Sequence, residues 1–571
     1  MYAGSDGRTV RSAVIGTVLF TRARAATAVD CWVDLTLPSP IGIHDLVVID
    51  SPPQQLVGRV TDMRAYTPPP KVGQPEPMIR PPAHTVLAKV TFLGSSDGRE
   101  RPPDGSRVRL PTPDDVTMLV GDARRIPVSR QVPVGVVALP AGFAPIMIDS
   151  ARLTGPIATS QLISGSAGSL KSTAGVLLAL SLQRVLAGQI GLVIINSKGS
   201  DFSFADYGRE RLCGRFGWTS LRARDREIYA ALGFAAPPTL QDTTVFVPEA
   251  TNPLWRSSRP LGFPRTEPYR LSYAAGLRHA LAPTDEDEPL MSGITRQCVE
   301  VAAGEFAEEQ GITSLAELIL ALEREYQQMS NERARWRSQF QQKTVAAALR
   351  QLMAAERDLG PLLGHIHEQI AFPVERLAAG GTWVIDVSPL PQRAAQAVID
   401  EVVSALWQAK ARNSIPHTMP LLLMVDELNR WHANGPTSAR LAAITRDQRH
   451  RQFGLIGLCQ QLSTLNAQML ANVDGFWYGT TRSAELIEEC YAHLPQHIRI
   501  RLHRLPDGIR LLDTWPLAEP LALEVPYPSW LISDEGLALV EAWTMKQQRS
   551  HIEVAHHNGH PAAASYGGGT E

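Results

Sequence analysis

The sequence predicts an α/β protein: a parallel sheet carrying a phosphate-type loop, preceded by a small all-β module and interrupted by helices. Three observations predict it. Gln161–Gln183 (QLISGSAGSLKSTAGVLLALSLQ) reads as a strand end, a glycine-rich turn and a Pro-free helix. Two later apolar runs, Pro420–Val425 and Phe453–Cys459, close on Asp426-Glu427 and Gln460-Gln461, as buried parallel strands do when their tips meet a ligand. Residues 10–140 hold six short apolar or alternating runs between Pro, Gly and Asp turns, with no helix between them.

The first stretch carries the chemistry. Leu162 and Ile163 end a strand; Gly165 to Ser172, including Gly168, Ser169 and Lys171, form the turn; a helix follows from about Thr173 to Leu186. Strand, glycine loop and helix together make the context a P-loop requires. Backbone N–H groups of such a loop point at phosphate oxygens, Lys171 adds a full charge, and Ser172 can hold Mg²⁺. The pattern departs from the usual one at Leu170, where Gly is expected. If that position needs positive φ, Leu is strained there by roughly 1 kcal/mol or more. If the turn re-forms with negative φ, one or two phosphate hydrogen bonds are lost instead. A Gly/Ser turn before an ordinary amphipathic helix is the plainer reading. Against it, only seven of the 55 basic residues are Lys and the other 48 are Arg, so a Lys at the phosphate position stands out.

Length and charge bound the rest. A chain of 571 residues exceeds one core and splits into two or three domains. A net charge of −2 means that any nucleic-acid surface is local, one face or a channel. Cys31, Cys213, Cys298, Cys459 and Cys490 are scattered, which excludes a zinc ribbon or disulfide framework and fits a reducing compartment. No apolar run reaches the length of a membrane span and MYAGSDGRTVRS has no signal-peptide core, so no membrane and a cytoplasmic location are expected.

In order, Ser12–Phe20, Cys31–Leu37, Asp45–Asp50, Leu56–Met63, His84–Phe92 and Arg107–Leu110 read as strands of a small barrel or sandwich. Pro-rich Tyr66–Pro82 reads as a long loop. After the P-loop helix, Gly191–Ile195 is a buried strand whose following loop brings Lys198 and Asp201 toward the site or leaves them solvated. Residues 265–370 read as a helical insertion, with helices at Ile312–Gln327 and Ser338–Leu359 and an acidic loop at Thr284–Glu288. Gly381–Val387 is a strand, Pro391–Lys410 a helix, and Pro420–Val425 a strand ending in the Walker B arrangement. In that arrangement Asp426 orders the Mg²⁺ shell and Glu427 polarises water. Arg-rich Ser438–Arg451 is a helix. Gln460, at the tip of the strand beside Asp426-Glu427, is placed to sense a γ-phosphate. Asn472–Thr480 is a strand, Ser483–His493 a helix, and the chain from about Ser550 a disordered tail.

Taken together, ISGSAGSLKS, VIINSKGSDF, GTWVIDVSPL, LLLMVDELNRW and RDQRHRQFGLIGLCQQLSTLNAQMLANVDGFWYG resemble the core segments of the HerA/FtsK superfamily of hexameric DNA-pumping ATPases, HerA most closely, across residues 10–530. The resemblance implies a RecA-like P-loop ATPase core at 146–264 and 371–530, an N-terminal small β-barrel at 1–145, an inserted helical bundle at 265–370, and a C-terminal extension and tail at 531–571. It implies ATP and Mg²⁺ as cofactors, with Gly165, Gly168, Ser169, Lys171, Ser172, Thr173 and Asp426 at the nucleotide and Ser172 and Asp426 at the metal. It implies Glu427 and Gln460 as catalytic residues. Arg449, or failing that Arg446 or Arg451, becomes a finger toward the neighbouring subunit. As partners it implies a homo-hexamer, double-stranded DNA in the ring pore, and a nuclease or other effector on the barrel face, in DNA end processing or phage defence. Leu170 and Asn196 depart from the family pattern. The other reading is a ring scaffold with a degenerate P-loop and little or no ATPase activity, which organises an effector.

Overall fold

A computed structural model describes residues 14–19, 30–36, 40–52, 54–66, 85–95, 102–157, 160–199, 201–280, 293–329, 334–366, 368, 370–431, 436–515, 517 and 519–558. In chain order its strands are β1 (Val14–Val18), β2 (Asp30–Leu35), β3 (Leu46–Ser51), β4 (Gln54–Tyr66), β5 (Thr85–Ser95), β6 (Arg107–Arg109), β7 (Gln131–Leu139), β8 (Gly142–Asp149), β9 (Ser160–Ser164), β10 (Gly191–Asn196), β11 (Thr243–Pro248), β12 (Thr266–Tyr269), β13 (Arg335–Trp336), β14 (Phe340–Gln341), β15 (Gly381–Asp386), β16 (Leu421–Val425), β17 (Phe453–Cys459), β18 (Val473–Tyr478), β19 (Ile509–Thr514) and β20 (Leu521–Glu524).

The six alternating runs close into a barrel of order β1-β2-β5-β4-β3-β6, as expected of them. Alternation along each strand puts one face inward, and Val33, Val47, Ile49, Leu56, Val60 and Val108 fill the interior. Closure leaves no unpaired edge.

The core is a twelve-stranded sheet, β12-β11-β15-β10-β16-β17-β9-β18-β19-β20-β7-β8. From β12 to β18 all neighbours are parallel; from β18 onward they are antiparallel. The central parallel strands are buried on both faces, which is why they read as continuous apolar runs and not as alternation. One apolar cluster lies on each face of the sheet. The helices inserted between β12 and β15, including Leu315–Gln328 and Gln342–Leu359, share the first of these clusters with the sheet. The α/β core, barrel and helical insertion are thus the architecture the patterning predicts.

Four local expectations fail. Pro113–Leu119 is helical within the region read as helix-free, because Thr112 and Asp115 form a reciprocal capping box with Pro at the first turn. The hairpin β7–β8 joins the large sheet, not the barrel: β7 is buried along most of its length and needs cover on both faces. Ser483–His493 forms two short 3₁₀ turns in place of a helix. There the Glu485 carboxylate turns inward to accept from the N–H and hydroxyl of Ser463, at 3.0 and 2.7 Å. Residues 550–558 of the expected tail continue a helix, Ser533–Asn558, and residues 559–571 lie outside the described residues. That helix is anchored upstream where Trp543 packs on Phe263, and Gly536 meets the Phe204 ring at a distance that admits no side chain. Most of Tyr66–Pro82 and all of Thr284–Glu288 lie outside the described residues.

Candidate functional site

Strand β9 delivers the loop Gly165–Leu170 to the carboxyl edge of the sheet, and helix Lys171–Val185 leaves it. The helix is buried almost all round; Gly175 lets it sit close on Met424 of β16 and Leu458 of β17. The turn needs positive φ at Gly165 (143°), Gly168 (80°) and also Leu170 (58°). Leu170 therefore keeps the left-handed geometry a glycine would supply, and the strain is carried by the fold. The N–H groups of Lys171, Ser172 and Thr173 have no backbone partner among the described residues. They form an open donor set at the positive end of a 15-residue helix.

Two cations attend this loop. Lys171 Nζ donates to the carbonyls of Gly165 and Ser166 at 2.9 and 3.1 Å. Burial pulls its pKa below the usual lysine value; Glu427 opposes that shift and Arg510 adds to it. Arg510, on β19, lies behind the loop. It donates to the carbonyl of Ser164 at 3.0 Å and to that of Ser169, and no carboxylate pairs with it among the described residues. Burial pulls the Arg510 pKa down to about 9. A buried cation held only by carbonyls is stabilised by any anion that arrives on the far side of the loop.

The opposite wall comes from β16. Asp426 and Glu427 follow its last residue, and Glu427 adopts φ 50°, another left-handed backbone at a non-glycine position. Ser197 Oγ donates to the Asp426 carbonyl at 2.9 Å, Trp431 Nε1 to the same carbonyl at 3.0 Å, and Ser197 Oγ lies 3.2 Å from the Asp426 carboxylate. Burial, together with the like charges of Glu427 and Asp201, pushes the Asp426 carboxyl up to about 7. Gln460, at the end of the adjacent strand β17, donates Nε2 to Glu427 Oε1 at 2.8 Å, and Lys198 Nζ lies 3.7 Å from the same oxygen.

Between the two walls is an open cleft of about 910 Å³. It brings Gly168, Ser169, Lys171, Ser172, Thr173, Asp426 and Glu427 together, with Lys198 and Asp201 from the loop after β10. Strand β10 lies three places from β9, yet Asp201 still returns: Ser172 Oγ lies 3.4 Å from its Oδ2, and Ser533 Oγ donates to its Oδ1 at 2.8 Å. Among the described residues no group of three or more His, Cys, Asp or Glu is arranged to hold a metal alone. Ser172, Asp201 and Asp426 nonetheless present hydroxyl and carboxylate oxygens, the donors a hard cation takes when phosphate and water complete its shell.

Other expected residues lie elsewhere. Arg449 sits on helix Pro436–Arg451, with its side chain outside the described set. Arg446 is exposed on the same helix and pairs with Asp447 at 3.1 Å, and Arg451 stacks on Trp407 at 4.1 Å. Asn196 does not face the cleft. It is fully buried and donates to the Asp386 carboxylate at 3.0 Å and the Gly199 carbonyl at 2.9 Å, so it joins β10 to β15. Sequence reasoning missed Arg510 and the segment Tyr527–Asp534, which lines the cleft through Tyr527, Trp530 and Ser533. The one signal for Arg510 was an arginine inside the otherwise apolar run Ile509–Leu512.

No family model matches the chain, and no curated protein does. Solved structures do. The chain is similar to the bacterial conjugative coupling protein TrwB, at 12% identity over 71% of this chain and 92% of that one, with a TM-score of 0.42. It is similar to VirB4 of Thermoanaerobacter pseudethanolicus, at 14% identity over 70% and 98%, with a TM-score of 0.42. It is also similar to TrwB in complex with ADP and Mg²⁺, at 12% identity over 68% and 91%, with a TM-score of 0.40.

Proposed function

We propose that the chain is an ATP-hydrolysing motor that moves double-stranded DNA through a homo-hexameric ring, with a nuclease or other effector docked on the barrel face, in end processing or defence against phage. One observation carries the reading. The Lys171 loop and Asp426-Glu427, from different strands, line one cleft at the carboxyl edge of a parallel sheet, and Gln460 from a third strand holds Glu427 there.

The chemistry follows from the residues. Lys171 leaves the Gly165 and Ser166 carbonyls to grip phosphate, and the free N–H groups of the first helical turn receive the rest of the anion. Ser172 directly, and Asp426 directly or through water, would hold Mg²⁺, which supplies neutralisation of phosphate charge. Glu427, aimed by Gln460, orients a water and takes its proton as that oxygen attacks the terminal phosphorus and the bond to the leaving diphosphate breaks. Arg449 or Arg446, on the helix before β17, is offered to the neighbouring subunit. Contacts to DNA are to phosphate, so binding is non-specific and steeply salt-dependent.

A second reading, a ring scaffold with little hydrolysis, is favoured by the bonding of Lys171 to its own loop. ATPase turnover of the purified protein, with and without DNA, separates the two: DNA-stimulated turnover supports the motor, and its absence supports the scaffold. A monomeric mass under all nucleotide conditions rules out both rings.

A further inference from the structure

A second cleft, apart from the nucleotide site, opens between the barrel and the core sheet. It has a volume of about 1280 Å³ and is lined by His44, Arg59, Arg501 and a wall of apolar side chains that includes Ile41, Val136 and Leu521. Its acids offset only part of this charge. Asp45 is occupied by the N–H of Gly42 at 2.7 Å, and Glu524 is gripped by Arg224 at 2.7 and 2.6 Å. Glu519 pairs with Arg59, whose second arm donates to the Pro520 carbonyl at 2.8 Å. Arg501 has no carboxylate partner among the described residues. His497 precedes it by one helical turn on Gln496–Leu502 and so shares its face.

Three nitrogens here are buried without a hydrogen-bond partner: His44 Nδ1, Arg59 Nε and His497 Nε2. Arg59 is itself 1% exposed. Buried donors are ordinarily satisfied, so the orphaned Arg59 Nε–H marks a missing acceptor, and the two imidazole nitrogens can donate to the same acceptor once their rings are protonated. His44 is held at φ 79° as the third residue of the Gly42–Asp45 turn, which the Asp45 N–H closes on the Gly42 carbonyl at 3.2 Å, and its own N–H donates to the Val60 carbonyl at 2.7 Å. The positive charges act on one another: burial comes first, then Arg501, Arg59 and His497, in pulling His44 below the ordinary histidine pKa against the opposing pull of Asp45, and His497 is lowered by burial and then by Arg59 and Arg501 despite the opposing pull of Glu519.

We propose that this cleft is a second anion site, independent of the nucleotide cleft, that takes the phosphate group of a small ligand on His44, Arg59, His497 and Arg501 and seats the ligand's apolar body against the sheet. Because its walls come from β3, β4, β7, β20 and the helix Gln496–Leu502, an occupant bridges barrel and core.

The test uses the full-length protein carrying Lys171→Ala, so that the P-loop does not compete, with inorganic phosphate and phenyl phosphate as probes in calorimetry at constant ionic strength. The expected result is saturable binding that tightens as pH falls into and below the ordinary histidine range, because the anion favours protonated His44 and His497. Arg501→Gln weakens binding about tenfold or more, as loss of one charge-assisted contact does. Arg501→Lys restores part of it. Tighter binding of phenyl phosphate than of inorganic phosphate supports the proposal; binding of inorganic phosphate alone overturns the apolar seat. If Arg501→Gln does not fold, His497→Gln takes its place with the same expected loss. Heat that does not saturate, an equal response to chloride, or binding untouched by Arg501→Gln and His497→Gln overturns the proposal, whatever the ATPase assay shows.

Discussion

Lys171 and Glu427 line the same cleft, but they are held in opposite ways. Lys171 is held by its own loop, through carbonyls five and six residues before it, and must let go before it can bind anything else. Glu427 is held from outside, by Gln460 on the neighbouring strand, and its backbone is already in the geometry that aims it. The carboxylate wall is therefore preassembled, while the glycine-loop wall is closed upon itself. The loop's shape is less at risk than its sequence indicates. Leu170 sits at φ 58°, so its strain is present before any ligand arrives and the donor groups of the turn are retained. The departure from the usual pattern is expected to weigh on stability more than on any phosphate contact.

That contrast can be broken from either wall. The largest expected effect is on the preassembled side: Glu427→Gln should lower turnover by about a thousandfold, as loss of a positioned base does, and leave ATP affinity nearly unchanged. Steady-state ATPase with a fluorescent-nucleotide titration checks this, and wild-type turnover in the mutant would remove Asp426-Glu427 from the site. Next, Lys171→Ala should weaken nucleotide binding itself by about a hundredfold, since more than one charge-assisted contact is lost. Unchanged affinity would take the loop out of the reading.

Arg510→Met should weaken ATP about tenfold. The carbonyls of Ser164 and Ser169 lose their donor and the loop loses a cation behind it. Recovery of part of the affinity in Arg510→Lys, by isothermal titration, would show that the charge matters and not only the packing. The smallest effect belongs to Leu170→Gly. Relief of the left-handed leucine, about 1–2 kcal/mol, is partly offset by the glycine's greater entropy loss on folding, about 0.5–1 kcal/mol. Stability to thermal unfolding should thus rise by up to about 1.5 kcal/mol, while ATP affinity shifts by less than about threefold. A large gain in affinity with no gain in stability would mean that strain enters on binding.

Much of this was present in local patterning. Period-two alternation marked the six barrel strands, continuous apolar runs marked the buried parallel strands, and Gly165, Gly168, Lys171, Asp426, Glu427 and Gln460 announced themselves at the ends of those runs. These are short-range properties: a strand's burial and a loop's glycines are written within a few residues. What only the tertiary structure decided was pairing across long separations. It placed Arg510, some 340 residues downstream of Ser169, behind the P-loop, and made Asn196 a tie to Asp386 instead of a site residue. It carried hairpin β7–β8 to the far edge of the core sheet and brought Ser533 back to Asp201. Hydrogen bonds and buried charges of this kind depend on which distant strand arrives alongside. That choice is made by the sum of the packing, and no window of sequence contains it.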